Sequence, residues 1–195
     1  MTVREVAVEA YRDALPALVA SLVGGLLAGV VLGGMRAELR AVPGLLVLIP
    51  ALLATRGNVY GSLGARIATA LHQGLVEPRL SAADRRLGAA AAAAISNGLL
   101  ASTFAAVVVF ALLTTLDDPV APLATLVGVA LVAGVLSGVV LTVVVVTVVF
   151  AGYRRGRDPD TLVGPIVTTT GDVFGVLFLL VAVRLVLALG GGGGG

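Results

Sequence analysis

The sequence predicts an all-α, polytopic integral membrane protein with five transmembrane helices, and three observations favour this fold class. Of the 195 residues, 58% are hydrophobic and 12% are charged, whereas an average soluble domain has roughly 45–50% apolar and about 25% charged residues. The mean hydropathy is +1.10. Long runs without a charged residue recur, and about 20 apolar residues are enough to cross a bilayer. This composition excludes a soluble globular domain, a disordered chain and a nucleic-acid-binding protein.

Five segments account for the predicted helices. They are Ala14–Met35, Ala41–Gln73, Leu87–Leu116, Pro119–Tyr153 and Thr161–Leu189. The first is too long for a signal peptide and lacks a clear cleavage site, so it is counted as a transmembrane helix. Residues 1–189 are therefore expected to form one transmembrane domain, and the glycines at 190–195 a flexible tail.

The second segment is predicted to be broken. As one straight helix it would be about 50 Å long, more than one bilayer crossing. It also contains several residues that disfavour helix: Pro43, Pro50, Gly57, Gly61 and Gly64. We expect the break near Gly57 and Asn58. Irregular backbone at membrane depth is tolerated only where it is buried or lines a watery cavity, so the amide oxygen of Asn58 is a candidate cation ligand. The alternative role for Asn58 is a helix cap.

The arginines between the segments predict the orientation. With the amino terminus inside, the inner loops receive Arg4, Arg12, Arg79, Arg85, Arg86, Arg154, Arg155 and Arg157, and the outer loops receive Arg36 and Arg40. Cytoplasmic loops carry an excess of basic residues. This distribution favours a multi-pass protein of the cytoplasmic membrane with a cytoplasmic amino terminus and an external carboxyl terminus.

Small residues recur every four positions in two of the segments. One stripe consists of Ser21, Gly25, Gly29 and Gly33, and the other of Ala130, Gly134, Gly138 and Thr142. Such stripes let helix backbones approach closely. They serve either packing within the chain or a dimer seam, and the sequence leaves both interpretations open.

The strongest functional signal is Asp172, near the middle of the last segment. A carboxylate there costs roughly 2.5–3.5 kcal/mol on insertion scales, and intramembrane acids usually mark ion or proton paths. Pro165, Thr168, Thr169 and Asp172 have the spacing i, i+3, i+4 and i+7, which places them on one helix face. Oxygen ligands of this kind suit Mg²⁺ or Ca²⁺. The sequence therefore predicts a cation site at Asp172, Thr168 and Thr169.

A structural ion pair is the alternative interpretation of Asp172, with Arg56 or Arg184 as its partner. If Asp172 instead binds a divalent cation, one carboxylate does not neutralise the charge, whereas two copies related by a two-fold axis supply two. Cyclic dimers are the commonest oligomers. We therefore expect a homodimer with the ion path near its axis.

Enzyme chemistry is not indicated by any motif. The chain has no cysteine and one histidine, which excludes disulfides, thiol catalysis and histidine-cluster metal sites. An intramembrane aspartyl protease needs a second mid-membrane aspartate, but Asp13, Asp117 and Asp118 lie at segment ends. The H-E-x-x-H, G-x-S-x-G and P-loop motifs are absent. We expect neither an enzyme nor a bound cofactor.

Two stretches resemble the signatures of the MgtE magnesium-transporter family. Ile49–Asn58 reads I-P-A-L-L-A-T-R-G-N and resembles P-x-L-x-x-x-x-G-N. Asp158–Asp172 reads D-P-D-T-L-V-G-P-I-V-T-T-T-G-D and resembles D-P-x-x-x-x-G-P-x-x-T-x-x-x-D. With its basic residue before Gly57, the first motif resembles most the version found in the eukaryotic solute-carrier branch of the family and its archaeal relatives.

This resemblance implies a five-helix domain that works as a two-fold pair, with the ion path between the second and fifth helices. It implies that Asp172 helps to hold a hydrated Mg²⁺ and that Thr168 contributes its backbone carbonyl. Bacterial members add a cytosolic domain and paired CBS domains; with only roughly 13 residues before the first segment, we expect no regulation by such domains here. Mg²⁺, or a similar hard divalent cation, is then the transported ion, and the partner is a second copy or a sister half. The alternative function is a non-conducting membrane subunit that pairs with an active sister chain.

Overall fold

A computed structural model describes residues 3–78, 85–156 and 159–190. The helices in these ranges are α1 Val3–Gly34, α2 Arg36–Ala41, α3 Leu45–His72, α4 Arg85–Thr115, α5 Leu123–Arg154 and α6 Pro159–Gly190. Within this part of the chain four helices, α3 to α6, are long and apolar enough to cross a membrane, and α1 has a shorter apolar portion, Leu18–Gly34. The chain is therefore an all-α, multi-pass membrane protein. Gly190 ends α6, and the rest of the predicted tail lies outside the described residues, as does Asp158.

The four long apolar helices run alternately up and down. At one end the ring of His72, at the end of α3, packs edge-on against Tyr153 of α5, with 5.5 Å between the ring centroids. At the opposite end the backbone N–H of Ala121, just before α5, donates to the carbonyl oxygen of Pro43, just before α3, at 2.9 Å. The helices α3 and α5 therefore run in the same direction, and α4, which connects them in the sequence, runs in the opposite direction. In the centre, α6 packs against α5, α1 and α3.

Tyr60 fills the junction of α3, α4 and α5. Its side chain is 2% exposed, and its hydroxyl lies against two glycines on the neighbouring helices. A Cβ added at Gly138 of α5 would lie 2.5 Å from the Tyr60 hydroxyl oxygen, and one added at Gly98 of α4 would lie 3.4 Å away. The missing side chains at these two positions make room for the tyrosine.

The two small-residue stripes have different surroundings. On α5, Ala130 is fully buried, and Gly134 and Gly138 face Leu99 and Tyr60 of the same chain. On α1, by contrast, a Cβ added at Gly25, Gly29 or Gly33 would meet nothing within 4 Å. Packing within the chain is thus confirmed for the α5 stripe, and the dimer seam stays a prediction for the α1 stripe.

The predicted break near Gly57 and Asn58 is wrong, because α3 is one continuous helix through both residues. The irregular backbone lies earlier, at Val42–Gly44, where Gly44 has φ +89°. A glycine inside a helix costs only about 1 kcal/mol relative to alanine. At membrane depth a break would leave several backbone groups without partners, which costs more. Asn58 is therefore neither at a break nor at a helix cap.

Packing along one face also keeps α3 helical across the positions that are occupied by glycine. Buried side chains recur every three or four residues over the whole helix: Leu48, Leu52, Arg56, Tyr60, Leu63, Ile67 and Leu71. The length argument failed because the helix begins only at Leu45. Its 28 residues correspond to about 42 Å, an excess over the hydrocarbon core that tilting or projection into the headgroup layer accommodates.

An ion pair connects α2 to the carboxyl-terminal part of α6. The Nε of Arg184 donates to Oε1 of Glu38 at 2.8 Å, and the side chains are 67% and 10% exposed, respectively. The hydrogen bond from Arg184 lowers the pKa of the Glu38 carboxyl from its ordinary value of 4.5. Arg184, one of the two arginines considered as partners for Asp172, is therefore engaged elsewhere.

We expect this pair to make a small, pH-dependent contribution to stability. Because the pKa of Glu38 is lower in the folded protein, the contribution is complete above pH 4.5 and is lost as the pH falls through the folded pKa. Water screens the exposed Arg184 and keeps the effect small. Melting temperatures of the parent and Glu38→Gln in detergent should differ at pH 7 and converge as the pH falls below the lowered pKa of Glu38. A difference that stays unchanged at every acidic pH at which the protein remains folded would contradict this assignment.

Candidate functional site

Asp172 lies on α6 between the contacts of that helix with α1 and α3. Three residues before it, Thr169 faces α1, where a Cβ added at Gly24 would lie 2.3 Å from the Thr169 Cγ2. Three residues after it, Gly175 faces α3, where its added Cβ would lie 2.8 Å from Leu53 Cδ2. Asp172 itself is half-buried. Its carboxyl group is thus placed in the middle of an apolar helix and is partly accessible from outside the single chain.

The two threonines predicted to accompany Asp172 differ in their hydrogen bonds. The hydroxyl of Thr168 is exposed and donates to the carbonyl oxygen of Gly164 at 2.9 Å. The hydroxyl oxygen of Thr169 is buried and has no hydrogen-bond partner among the described residues. A buried hydroxyl without a partner is costly, and of the two threonines only Thr169 has such a hydroxyl among the described residues.

Asn58 lies in a different place from these three residues. It is exposed on α3 and lines a groove of about 230 Å³ between α3 and α4. The lining residues are Asn58, Val59, Ser62, Leu63, Arg66, Ala90, Ala93, Ala94 and Asn97. This groove contains a cationic side chain, Arg66, and none of the α6 residues. Within one chain, therefore, the structure groups Thr168, Thr169 and Asp172 but does not bring Asn58 to them.

Arg56 is the unexpected polar group of this region. Its side chain is only 4% exposed, and Nε and Nη2 have no hydrogen-bond partner among the described residues. Its Nη1 occupies the space beside Gly175, 2.7 Å from where a Cβ would be. Glycine at position 175 thus provides the room for a buried guanidinium between α3 and α6.

Neither arginine considered as a structural partner is paired with Asp172. Arg184 binds Glu38, and the described part of the chain has no ion pair between Arg56 and Asp172 at 4.0 Å or less. In the same ranges there is no cluster of three or more His, Cys, Asp or Glu side chains placed to hold a metal ion. The acidic group that the apolar helices of this chain present at mid-length is the carboxylate of Asp172.

The sequence profile of the MgtE divalent cation transporter family matches residues 49–182. The chain belongs to the MgtE family. The match covers well over half of the sequence and includes Asn58, Thr168, Thr169 and Asp172. It confirms the resemblance seen in the two motifs, and it places the chain in a family of transporters rather than of enzymes. No curated protein matches the chain.

Two features of this MgtE chain were missed by sequence reasoning. The burial of Arg56 was signalled by its position four residues after Leu52 and four before Tyr60, on the apolar face of α3. The pairing of Glu38 with Arg184 spans 146 residues and has no local signal, because it depends on how α2 and α6 meet.

Proposed function

We propose that this chain moves Mg²⁺, or a similar hard divalent cation, across the cytoplasmic membrane. The observation that carries the proposal is Asp172, a half-buried carboxylate in the middle of an apolar helix of a divalent cation transporter. Intramembrane acids are costly and usually belong to ion paths. Mg²⁺ keeps several of its water molecules and is typically held by one or two carboxylates, which suits a sparse donor set of this kind.

The residues of α6 take distinct roles in this proposal. The carboxylate of Asp172 supplies the charge that compensates the cation. The backbone carbonyl of Thr168 and the unpartnered hydroxyl of Thr169 supply neutral oxygen atoms one helical turn away. These groups bind the hydration shell of Mg²⁺ rather than the bare ion, because the ion gives up its water reluctantly.

The path is completed by a second copy of the chain. Two copies bring two Asp172 carboxylates, which balance the double positive charge of the cation, so we place the α6 helices facing the two-fold axis. In this arrangement Asn58 contributes to the path from the exposed face of α3. We also propose five membrane crossings, with α1 as the first, a cytoplasmic amino terminus and an external carboxyl terminus, as the arginine distribution favours.

A non-conducting subunit that pairs with an active sister half is the second candidate. The exposed glycines of α1 at positions 25, 29 and 33 would suit such pairing. A purely structural subunit, however, has little reason to keep a carboxylate in the middle of α6 that forms no ion pair within the described part of the chain. We therefore favour a chain that conducts on its own.

Liposomes carrying only the purified chain test the proposal. With an Mg²⁺ indicator inside, addition of external Mg²⁺ should raise the signal, and cross-linking of the same liposomes should give dimers. Empty liposomes are the control. A purified, folded chain that gives no flux would refute autonomous transport and favour the non-conducting subunit, and a flux-competent monomer would refute the path at a dimer interface.

A further inference from the structure

Arg56 is a buried cationic side chain without an acidic partner among the described residues. A guanidinium cannot lose its charge at ordinary pH, and a buried charge without a counter-ion is strongly unfavourable. Yet the side chain is 4% exposed, and two of its three nitrogens have no partner among the described residues. Some acidic group must compensate this charge during the working cycle.

The sequence leaves few acids that can do so. The helices α3, α4 and α5 contain no aspartate or glutamate, the acids of α1 all lie within its first eleven residues, and α6 contains Asp160, at its start, and Asp172. Glu38 already binds Arg184. Asp172 is therefore the acid within the apolar part of the helix against which Arg56 packs.

The geometry allows the two groups to meet. The Nη1 of Arg56 lies 2.7 Å from the Cβ position of Gly175. Asp172 is three residues earlier on the same helix, and positions three apart have Cβ atoms about 5–6 Å from each other. The guanidinium is thus within roughly 9 Å of the Asp172 Cβ, and contact between the two groups requires the long Arg56 side chain to reorient toward the short aspartate.

We infer that Arg56 is a tethered counter-ion of Asp172, which pairs with the carboxylate when no divalent cation is bound and is displaced when the cation arrives. This inference rests on the proposed function and deepens it. In a dimer, two Arg56–Asp172 pairs keep the path electrically neutral without the ion. A cation must then compete with two guanidinium groups, so Arg56 sets the apparent affinity of the site without itself touching the cation.

The decisive variant is Arg56→Gln, with Arg56→Lys as the matched control that keeps the charge. If the state in which both pairs are broken makes up about one-tenth of the cation-free dimers, removal of the pairs lowers the half-saturating Mg²⁺ concentration about tenfold. Arg56→Lys should stay close to the parent. The readout is initial Mg²⁺ flux into liposomes across a range of external Mg²⁺, because a merely structural role would lower the maximal flux without shifting the half-saturating concentration.

The outcomes separate this inference from the proposed function. If the parent chain gives no flux, the proposed function fails, and the pair is judged by the stability measurement described next. If the parent conducts while Arg56→Gln leaves the half-saturating concentration unchanged or raised, the function stands and the tethered counter-ion is refuted.

A stability measurement keeps the inference testable even if Arg56→Gln folds poorly. Melting temperatures are compared in detergent with a chelator for Arg56→Gln, Asp172→Asn and the double variant. Each single change leaves one unpaired charge, whereas the double change removes both, so the double variant should melt above Arg56→Gln. Coupling between contacting residues appears as such non-additivity. Losses that simply add, or a double variant that folds no better than Arg56→Gln, would overturn the pair.

Discussion

Replacing Asp172 with asparagine is expected to reduce Mg²⁺ flux by about a hundredfold or more, while the helices stay assembled. The change keeps the shape of the side chain but removes a full charge, and in a dimer it removes two. Opposite unit charges 4 Å apart attract each other by about 4 kcal/mol at an effective dielectric constant of 20. Cheaper insertion of the neutral side chain offsets part of this loss. Initial flux into liposomes at fixed protein content measures the effect.

Asp117→Asn and Asp118→Asn are the matched controls for this prediction. Both residues are exposed in the connection between α4 and α5, where water compensates their charges. Asp117 has φ +54°, a conformation that asparagine also tolerates, so the control does not strain the backbone. If Asp172→Asn conducted like the parent while Asp117→Asn abolished flux, the ion path would lie elsewhere.

Gly24→Ala is expected to be the most damaging single-methyl change among the glycines of α1. The new Cβ would lie 2.3 Å from the Thr169 Cγ2, and a threonine side chain in a helix has few alternative positions. Overpacking of this kind costs typically 1–3 kcal/mol, and the higher helix propensity of alanine offsets about 1 kcal/mol of it. Melting in detergent should therefore occur at a lower temperature, and flux should fall because Thr169 is displaced.

Gly25→Ala provides an adjacent control, because an added Cβ there meets nothing within 4 Å. This variant gains helix propensity without a clash and should be as stable as the parent or slightly more so. Thr169→Ser removes the offending methyl group, so it should restore the stability of Gly24→Ala. Equal melting temperatures for the Gly24 and Gly25 variants would show that α1 does not pack on α6 as described.

The helices themselves could be predicted from the sequence because hydropathy and length are local properties. The segment Leu87–Leu116 corresponds to α4, Arg85–Thr115, within two residues at each end. The fold of the second segment could not be predicted in the same way. Glycines at 57, 61 and 64 weaken a helix in isolation, but the apolar face that runs from Leu48 to Leu71 keeps α3 continuous.

The candidate site was predictable only in part, for a related reason. Thr168, Thr169 and Asp172 share one helix, so their spacing alone predicted their proximity. The surroundings of Asn58 depend on which helix packs beside its face of α3, and in the structure that helix is α4. The approach of Arg56 to Gly175 likewise arises from the crossing of α3 and α6. The hydrophobic periodicity of a single helix does not reveal contacts of this kind, because they depend on how two helices cross.

Restoring charge at position 172 tests the central claim most directly. The chain has no cysteine, so Asp172→Cys introduces a single reactive thiol. The inactive variant is labelled with a methanethiosulfonate reagent that leaves either a sulfonate or a trimethylammonium group, and mass spectrometry confirms equal labelling. We predict that the anionic adduct conducts Mg²⁺ at least about tenfold faster than the cationic adduct, since a tenfold difference requires only about 1.4 kcal/mol. Equal flux through both fully labelled proteins would contradict a cation path at Asp172.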